Sequence, residues 1–201
     1  MTGVRLVGPL RRHAVRTAAA LLAPLLLPLL PPAAARGQAV RASALVNAQE
    51  CRVLLPVDGR VYAGLASGGL VAWEAADGGG YRHWIVADGL GGLGVDALAW
   101  TGRNLWVATP GTGLTRLTPG DPQPALRQYV NLGGLDVTAV AGTVRGTTEI
   151  VYYGLEEGGV GIITGGLPGV VYTAQQHGLV DDRVRALALH RGALWVATAA
   201  G

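Results

Sequence analysis

A chain of 201 residues with 16 arginines, no lysine, 13 acids and a formal net charge of +3 is long enough for one domain and a targeting segment. Arg5, Arg11, Arg12 and Arg16 fall in the first 35 residues, which hold no acid, so residues 36–201 carry 12 arginines against 13 acids, a net of −1. A body that close to neutral, with no basic cluster, excludes a nucleic-acid-binding surface as an expectation.

The amino terminus, "MTGVRLVGPLRRHAVRTAAALLAPLLLPLLPPAAARGQA", has a basic start, an apolar run from Thr17 to Leu30, and small residues at Ala33 and Ala35. That is the grammar of a secretory signal peptide, cleaved after Ala35 or Ala39. The run falls short of the roughly 20 residues a membrane span needs, and Pro24, Pro28, Pro31 and Pro32 interrupt it. Residues 1–39 are therefore read as signal peptide and short linker, and 40–201 as an exported body, periplasmic or extracellular. Membrane contact is expected only through the amino-terminal segment, if it stays uncleaved. Cys51 is the single cysteine, which rules out an intrachain disulfide. On the strand-like "CRVLLPV" it is expected to be a small buried apolar residue.

From residue 50 onward a phrase recurs. "RVYAGLASGGL" (60–70), "LWVATPGTGL" (105–114), "IVYYGLEEGGV" (150–160) and "LWVATAAG" (194–201) place aromatic residues at Tyr62, Trp106, Tyr152 and Trp195. A second marker, Gly-Leu, stands at Gly89, Gly134 and Gly178. A shared period in the forties indicates a propeller, a helical solenoid or another array. The texture decides among these. The second unit reads "DALAW" (96–100), "TGRN", "LWVAT" (105–109), "PGTG", "LTRL" (114–117), a Pro-rich loop and "LRQYV" (126–130): short runs bounded by turn residues, as in successive hairpins. Asp58-Gly59 is a strong hairpin turn signal, and 184–198 repeats the first hairpin of the second unit. No apolar 3.6-residue period is sustained from residue 40 onward. Four strands per unit make a propeller blade. The expected fold is all-β, a β-propeller of about three and a half four-stranded blades, with units 50–92, 93–136, 137–180 and an incomplete 181–201. The rings at 62, 106, 152 and 195 are expected to fill the gaps between blades, and the Gly-rich turns after them to reverse the chain with positive φ.

Few residues argue for chemistry. "GLGGLG" (89–94) contains G-x-G-x-x-G, but a strand pattern follows where a dinucleotide site needs a helix. Asp181-Asp182 and Glu156-Glu157 lack the further oxygens that calcium requires, and His83, His177 and His190 are not spaced as metal ligands. Ser67 lacks a nucleophile-elbow frame. The most ligand-like cluster is Tyr81, Arg82, His83 and Trp84, since aromatic and arginine side chains enrich binding patches. Alternation along a strand would nevertheless bury half of them.

"GLVDDRVRALALHRGALWVATAAG" (178–201) resembles the two-component regulator propeller repeat: Gly-Leu, a short loop, a valine strand, a Gly turn, a Leu-Trp-Ile-Gly-Thr phrase and a closing Gly. Gly178, Leu179, Val184, Leu187, Gly192, Leu194, Trp195, Thr198 and Gly201 match it, and "GLGVDALAWTGRNLWVATPGTGL" (92–114) matches through Val95, Leu98, Trp106, Thr109 and Gly113. The resemblance spans about residues 50–201. It implies the sensor part of a bacterial signalling receptor, often glycan-binding, in which many more repeats precede a transmembrane helix, a kinase and regulatory domains. Since the fourth unit stops after its second strand, the chain reads as a fragment of a longer reading frame. The functional expectation is a non-catalytic exported module for ligand sensing or protein interaction, with no cofactor and no metal. Its partners would be a glycan or small molecule, and completing blades from missing sequence or a partner chain. The alternatives are a propeller-fold enzyme of the lyase or quinoprotein kind, and a non-functional truncated fragment.

Overall fold

The computed structural model describes residues 50–119 and 126–201; the expected signal peptide and linker, residues 1–39, lie outside the described residues. Turn chemistry sets the first hairpin. Asp58 (φ 46°) and Gly59 (φ 77°) are both left-handed, as a two-residue turn matched to strand twist requires. They join β1 (Cys51–Val57) to β2 (Arg60–Leu65), and β3 (Leu70–Glu74) and β4 (Arg82–Trp84) complete an antiparallel sheet in chain order. A short 3₁₀ turn, Val86–Asp88, leads on to a second sheet of β5 (Ala97–Trp100), β6 (Leu105–Thr109), β7 (Gly113–Leu117) and β8 (Leu126–Tyr129). A third comprises β9 (Val137–Arg145), β10 (Thr148–Leu155), β11 (Val160–Thr164) and β12 (Leu167–Tyr172). After the four-residue helix α1 (Ala174–His177), β13 (Val184–His190) and β14 (Ala193–Thr198) form a two-stranded sheet. Their turn, Arg191 (φ 49°) and Gly192 (φ 81°), repeats the first one. Four successive antiparallel sheets of this kind are propeller blades.

The first strands carry contacts from sheet to sheet, β1 with β5, β5 with β9 and β9 with β13, so they form the inner, axial edge. Period-two alternation gives every sheet a forward face and a backward face. On the forward face of the first, Tyr62 packs with Leu98, Leu105, Val107 and Leu117 of the second. On the forward face of the second, fully buried Trp106 packs with Val140, Val151, Tyr153 and Ile163 of the third. Tyr152, partly buried, packs with Val184, Leu187, Leu194 and Val196 of the fourth. The steric fit is close: a β-carbon on Gly64 would stand 2.4 Å from Val95 Cγ1, and one on Gly154 2.4 Å from Val184 Cγ1. Apolar burial of this type, about 25 cal/mol per Å², holds the sheets together, because no disulfide links them.

The glycine that closes each phrase has a separate task. Gly69, Gly113 and Gly159 sit at φ 81°, 87° and 82°, and a β-carbon there would come within 2.0–2.3 Å of the carbonyl oxygens of Trp84, Tyr129 and Tyr172. Any side chain would collide with the end of the fourth strand, which is why the phrase ends in Gly.

Three expectations differ from the structure. Trp195 is 64% exposed: it lies on the forward face of β14, and no described sheet stacks there. Cys51 is exposed rather than buried. It pairs with Leu65 as Val137 pairs with Leu155 and Val184 with Thr198, but those valines are covered by a preceding sheet and Cys51 is not. Gly134-Leu135 does not occupy the place of Gly89-Leu90. The buried leucines Leu90 and Leu132 and the partly buried Leu179 each precede by five residues the buried valines Val95, Val137 and Val184. Leu135 is instead the counterpart of Leu93, each accepting a hydrogen bond from the closing glycine, Gly113 and Gly69 respectively. The "NLGGLD" stretch offers two leucines, and the exposed one matches the marker.

Candidate functional site

Three of the four inner strands, β1, β9 and β13, share an irregularity at one end. Pairing skips a residue between Cys51 and Val53, between Val137 and Ala139 and between Val184 and Ala186. The skipped residues are Arg52, Thr138 and Arg185; Asp96, whose N–H donates to Ala108 O at 3.0 Å, holds the same place in the second sheet. Bulges re-aim a side chain and recur beside functional sites. Here the flanking positions stay small and apolar while the bulged residue changes from Arg to Asp to Thr to Arg.

Each bulged residue takes part in a tie between sheets. Arg52 Nη1 pairs with Asp96 Oδ1. Thr138 Oγ1 donates to Val184 O at 2.6 Å. Arg185 Nη1 donates to both Glu156 oxygens, at 3.0 and 2.8 Å. The Arg52 and Arg185 side chains are 41% and 52% exposed, where an ion pair contributes about 0–1 kcal/mol. The bonds fix direction more than they stabilise. Beside the Arg185–Glu156 pair a half-open cleft of about 340 Å³ is lined by Gly134, Leu135, Asp136, Leu155, Glu156 and Glu157. Carboxylates and turn backbone in such a cleft suit hydrogen bonding to hydroxyl or amine groups of a ligand.

The neighbouring acids serve the chain itself. Asp182 Oδ1 accepts from Ala174 N at 2.6 Å. Asp181 accepts from the Arg183 backbone N–H at 2.8 Å, and that bond, reinforced by the Arg183 guanidinium, holds its carboxyl below the usual range. Among the described residues no group of three His, Cys, Asp or Glu is placed to hold a metal. The glycines of 89–94 form a loop, with Gly89 left-handed at the end of the 3₁₀ turn, and it is strand β5 that follows.

Of the aromatic cluster, Trp84 is buried and stacks on Tyr62 with ring centroids 6.4 Å apart, so it belongs to the first inter-sheet core. Arg82 pairs with Ala72 on the Trp84 side and is exposed. Tyr81 and His83 are exposed together, their rings 6.5 Å apart, and His83 Nε2 lies 2.6 Å from Gly68 O. The strand therefore divides the four residues between two faces.

Glu149 belongs to no motif in the sequence. It is 5% exposed and accepts from Thr101 Oγ1 (2.5 Å), Asn104 Nδ2 (3.0 Å to each oxygen) and Trp106 Nε1 (3.0 Å). The acid comes from the third sheet and its donors from the second, so the bonds clamp the two. A buried carboxylate is retained only when so fully bonded. The available signal was an acid next to "IVYYG", within a strand otherwise apolar on its covered faces. Tyr153, fully buried in the same interface, donates to Leu132 O at 3.0 Å, and burial pushes its phenol up to about 12.

No protein family matches the chain, and no curated protein sequence matches it. Solved structures do. The computationally designed Ika4 protein aligns with a TM-score of 0.57 at 17% identity, over 77% of this chain and 89% of that one. The extracellular domain of the hybrid two-component system protein BT3049 of B. thetaiotaomicron aligns with a TM-score of 0.56 at 15% identity, over 74% of this chain. The RRP9 WD40 repeats align with a TM-score of 0.54 at 14% identity, over 70%. The chain spans 20% of that extracellular domain and 42% of the RRP9 chain. At these identities the likeness establishes a fold. The class is the β-propeller, and the extracellular domain of a two-component system protein is among its structural neighbours.

Proposed function

We propose that the chain is the propeller module of an exported, two-component-type receptor. In this reading it is non-catalytic and senses a glycan or small molecule at the bulged end of its inner strands. The carrying observation is the bulge position: it holds Arg52, Asp96, Thr138 and Arg185, charged or polar in each unit, while the residues on either side stay small and apolar. In a repeat, packing residues recur and recognition residues vary. The step from this fold to sensing is an analogy, since propellers host many tasks. It is supported by the extracellular two-component domain among the neighbours and by the signal-like amino terminus. No helix among the described residues is long and apolar enough to cross a membrane.

The uncovered faces complete the reading. The forward face of β13 and β14 presents exposed Ala186, Ala188, Trp195 and Ala197, with Trp195 and Ala197 at the places where Tyr62 and Gly64 receive the next sheet. Further propeller sheets, from additional sequence or a partner chain, would cover it.

The test is a panel of mono- and oligosaccharides and small metabolites screened by thermal shift and calorimetry on the full chain and on Arg52→Gln and Arg185→Gln. A ligand that binds the parent and loses at least tenfold in affinity in either variant supports the site. Binding indifferent to both variants, or no binding across the panel, removes it.

A further inference from the structure

A second site lies outside the bulged end, between the outer strands of the second sheet and the β11–β12 turn of the third. Arg116 on β7 and Arg127 on β8 are directly opposite in the antiparallel register, so their side chains share one face. Like charges in that position destabilise a sheet unless something neutralises them. Among the described residues neither arginine forms an ion pair. Glu149, the buried acid of this interface, has its oxygens engaged by Thr101, Asn104 and Trp106.

Two polar atoms here are buried without a partner, Arg116 Nε and Tyr129 Oη. Tyr129 as a whole is 4% exposed. Its ring is fixed by Trp106, 5.0 Å away, and by the Arg127 guanidinium carbon 5.2 Å from its centroid. The two groups converge: a β-carbon on Gly166 would stand 3.4 Å from Tyr129 Oη and 3.7 Å from Arg116 Nη1. Gly166 faces both groups without a side chain, and its φ of 83° disfavours any other residue there. An unbonded phenol and guanidinium N–H are unfavourable when buried, and a ligand that bonds both relieves that. A water would satisfy the hydrogen bonds but bring no negative charge to the two facing arginines.

We propose that these three side chains form an oxyanion-binding site, taking a carboxylate, sulfate or phosphate group between Arg116, Arg127 and Tyr129. The guanidinium fork matches the planar or tetrahedral oxygens of such groups, and the Tyr129 hydroxyl donates the remaining bond.

The proposal stands apart from the bulged-end site and is tested with inorganic probes. Phosphate, sulfate and acetate would be titrated separately into the full chain by calorimetry, at ionic strength held constant with chloride. At least one oxyanion is expected to bind, and which one distinguishes a carboxylate from a tetrahedral ligand. Tyr129→Phe, which keeps the ring and its packing, should weaken that binding several-fold. Arg127→Gln, on the exposed strand, should weaken it about tenfold, and Arg116→Gln at least as much. No oxyanion binding beyond that of chloride overturns the proposal, as does binding that survives Tyr129→Phe and Arg127→Gln unchanged.

Discussion

The same five residues, Leu-Trp-Val-Ala-Thr, form β6 at 105–109 and β14 at 194–198, yet their surroundings are opposite. All five residues of β6 are buried. On β14 exposed and half-buried positions alternate, and Trp195 is 64% exposed where Trp106 has no exposure. Propensity, pattern and turn are shared, so none of them explains the difference. It comes from the neighbours: β6 has a sheet stacked on each face and a strand paired at each edge, whereas β14 has a sheet behind it and pairs only with β13. In a repeat array the sequence of a unit specifies its sheet, and the next unit determines what that sheet's forward side chains are worth.

The largest consequence concerns Trp106. Removing its side chain opens a cavity in the core between the second and third sheets and takes a donor from Glu149. Trp106→Ala should lower unfolding free energy by about 4 kcal/mol, a large share of the 5–15 kcal/mol typical of a domain. Urea unfolding followed by circular dichroism would measure it. Trp106→Phe separates the two contributions, retaining most of the packing and losing only the indole N–H, at about 1–2 kcal/mol. A loss below 1 kcal/mol for the alanine variant would mean that the sheets are not wedged by this ring.

Tyr153 tests the covered interface through pH. Burial raises its phenol from an ordinary 10 to about 12, so the folded state favours the protonated form. The stabilisation that accompanies this is complete below pH 10, where both states are protonated. Above pH 10 the unfolded chain ionises first and stability falls, until the contribution is gone at about pH 12. The slope approaches about 1.4 kcal/mol per pH unit in that window. Tyr153→Phe should flatten the decline, and phenolate absorbance from this residue should appear with unfolding rather than before it. Ionisation of all six tyrosines near pH 10 in the folded chain would contradict the burial.

How much of this was legible follows from the range over which each feature is determined. Asp58-Gly59 and Arg191-Gly192 act within one hairpin, so local chemistry suffices to recognise them. The strands of the second unit were readable from alternation and their bounding turns, and β5 to β8 lie within a residue of those runs. Glu149 stands in the sequence as an acid in an apolar strand, but its clamp is not legible there, because its donors Thr101 and Asn104 are more than forty residues away and only stacking brings them together. Cys51 shows the same limit from the other side. Its strand was recognised, but burial at its position needs a preceding sheet that no residue of the strand encodes. At the bulged end, Arg52 and Arg185 are charges in the sequence, while the skipped pairing that presents them depends on register. Tyr81 to Trp84 were identified as a cluster, and the alternation of β4 divides it.

The smallest expected effect completes the comparison. Trp195→Ala removes as large a ring as Trp106→Ala from an identical phrase, but from a face that nothing described covers. Most of that ring is already in contact with water, so little apolar area is lost from burial and no cavity forms. The change in unfolding free energy should be within about 0.5 kcal/mol, and a more soluble chain is expected because an exposed apolar ring beside an unpaired strand edge favours association. Measuring both variants under one set of conditions makes the ratio informative, since ring chemistry and local sequence cancel. If Trp195→Ala instead costs several kcal/mol and lowers the sedimentation coefficient, the face is covered in solution by another propeller sheet, and β14 then occupies the same environment as β6.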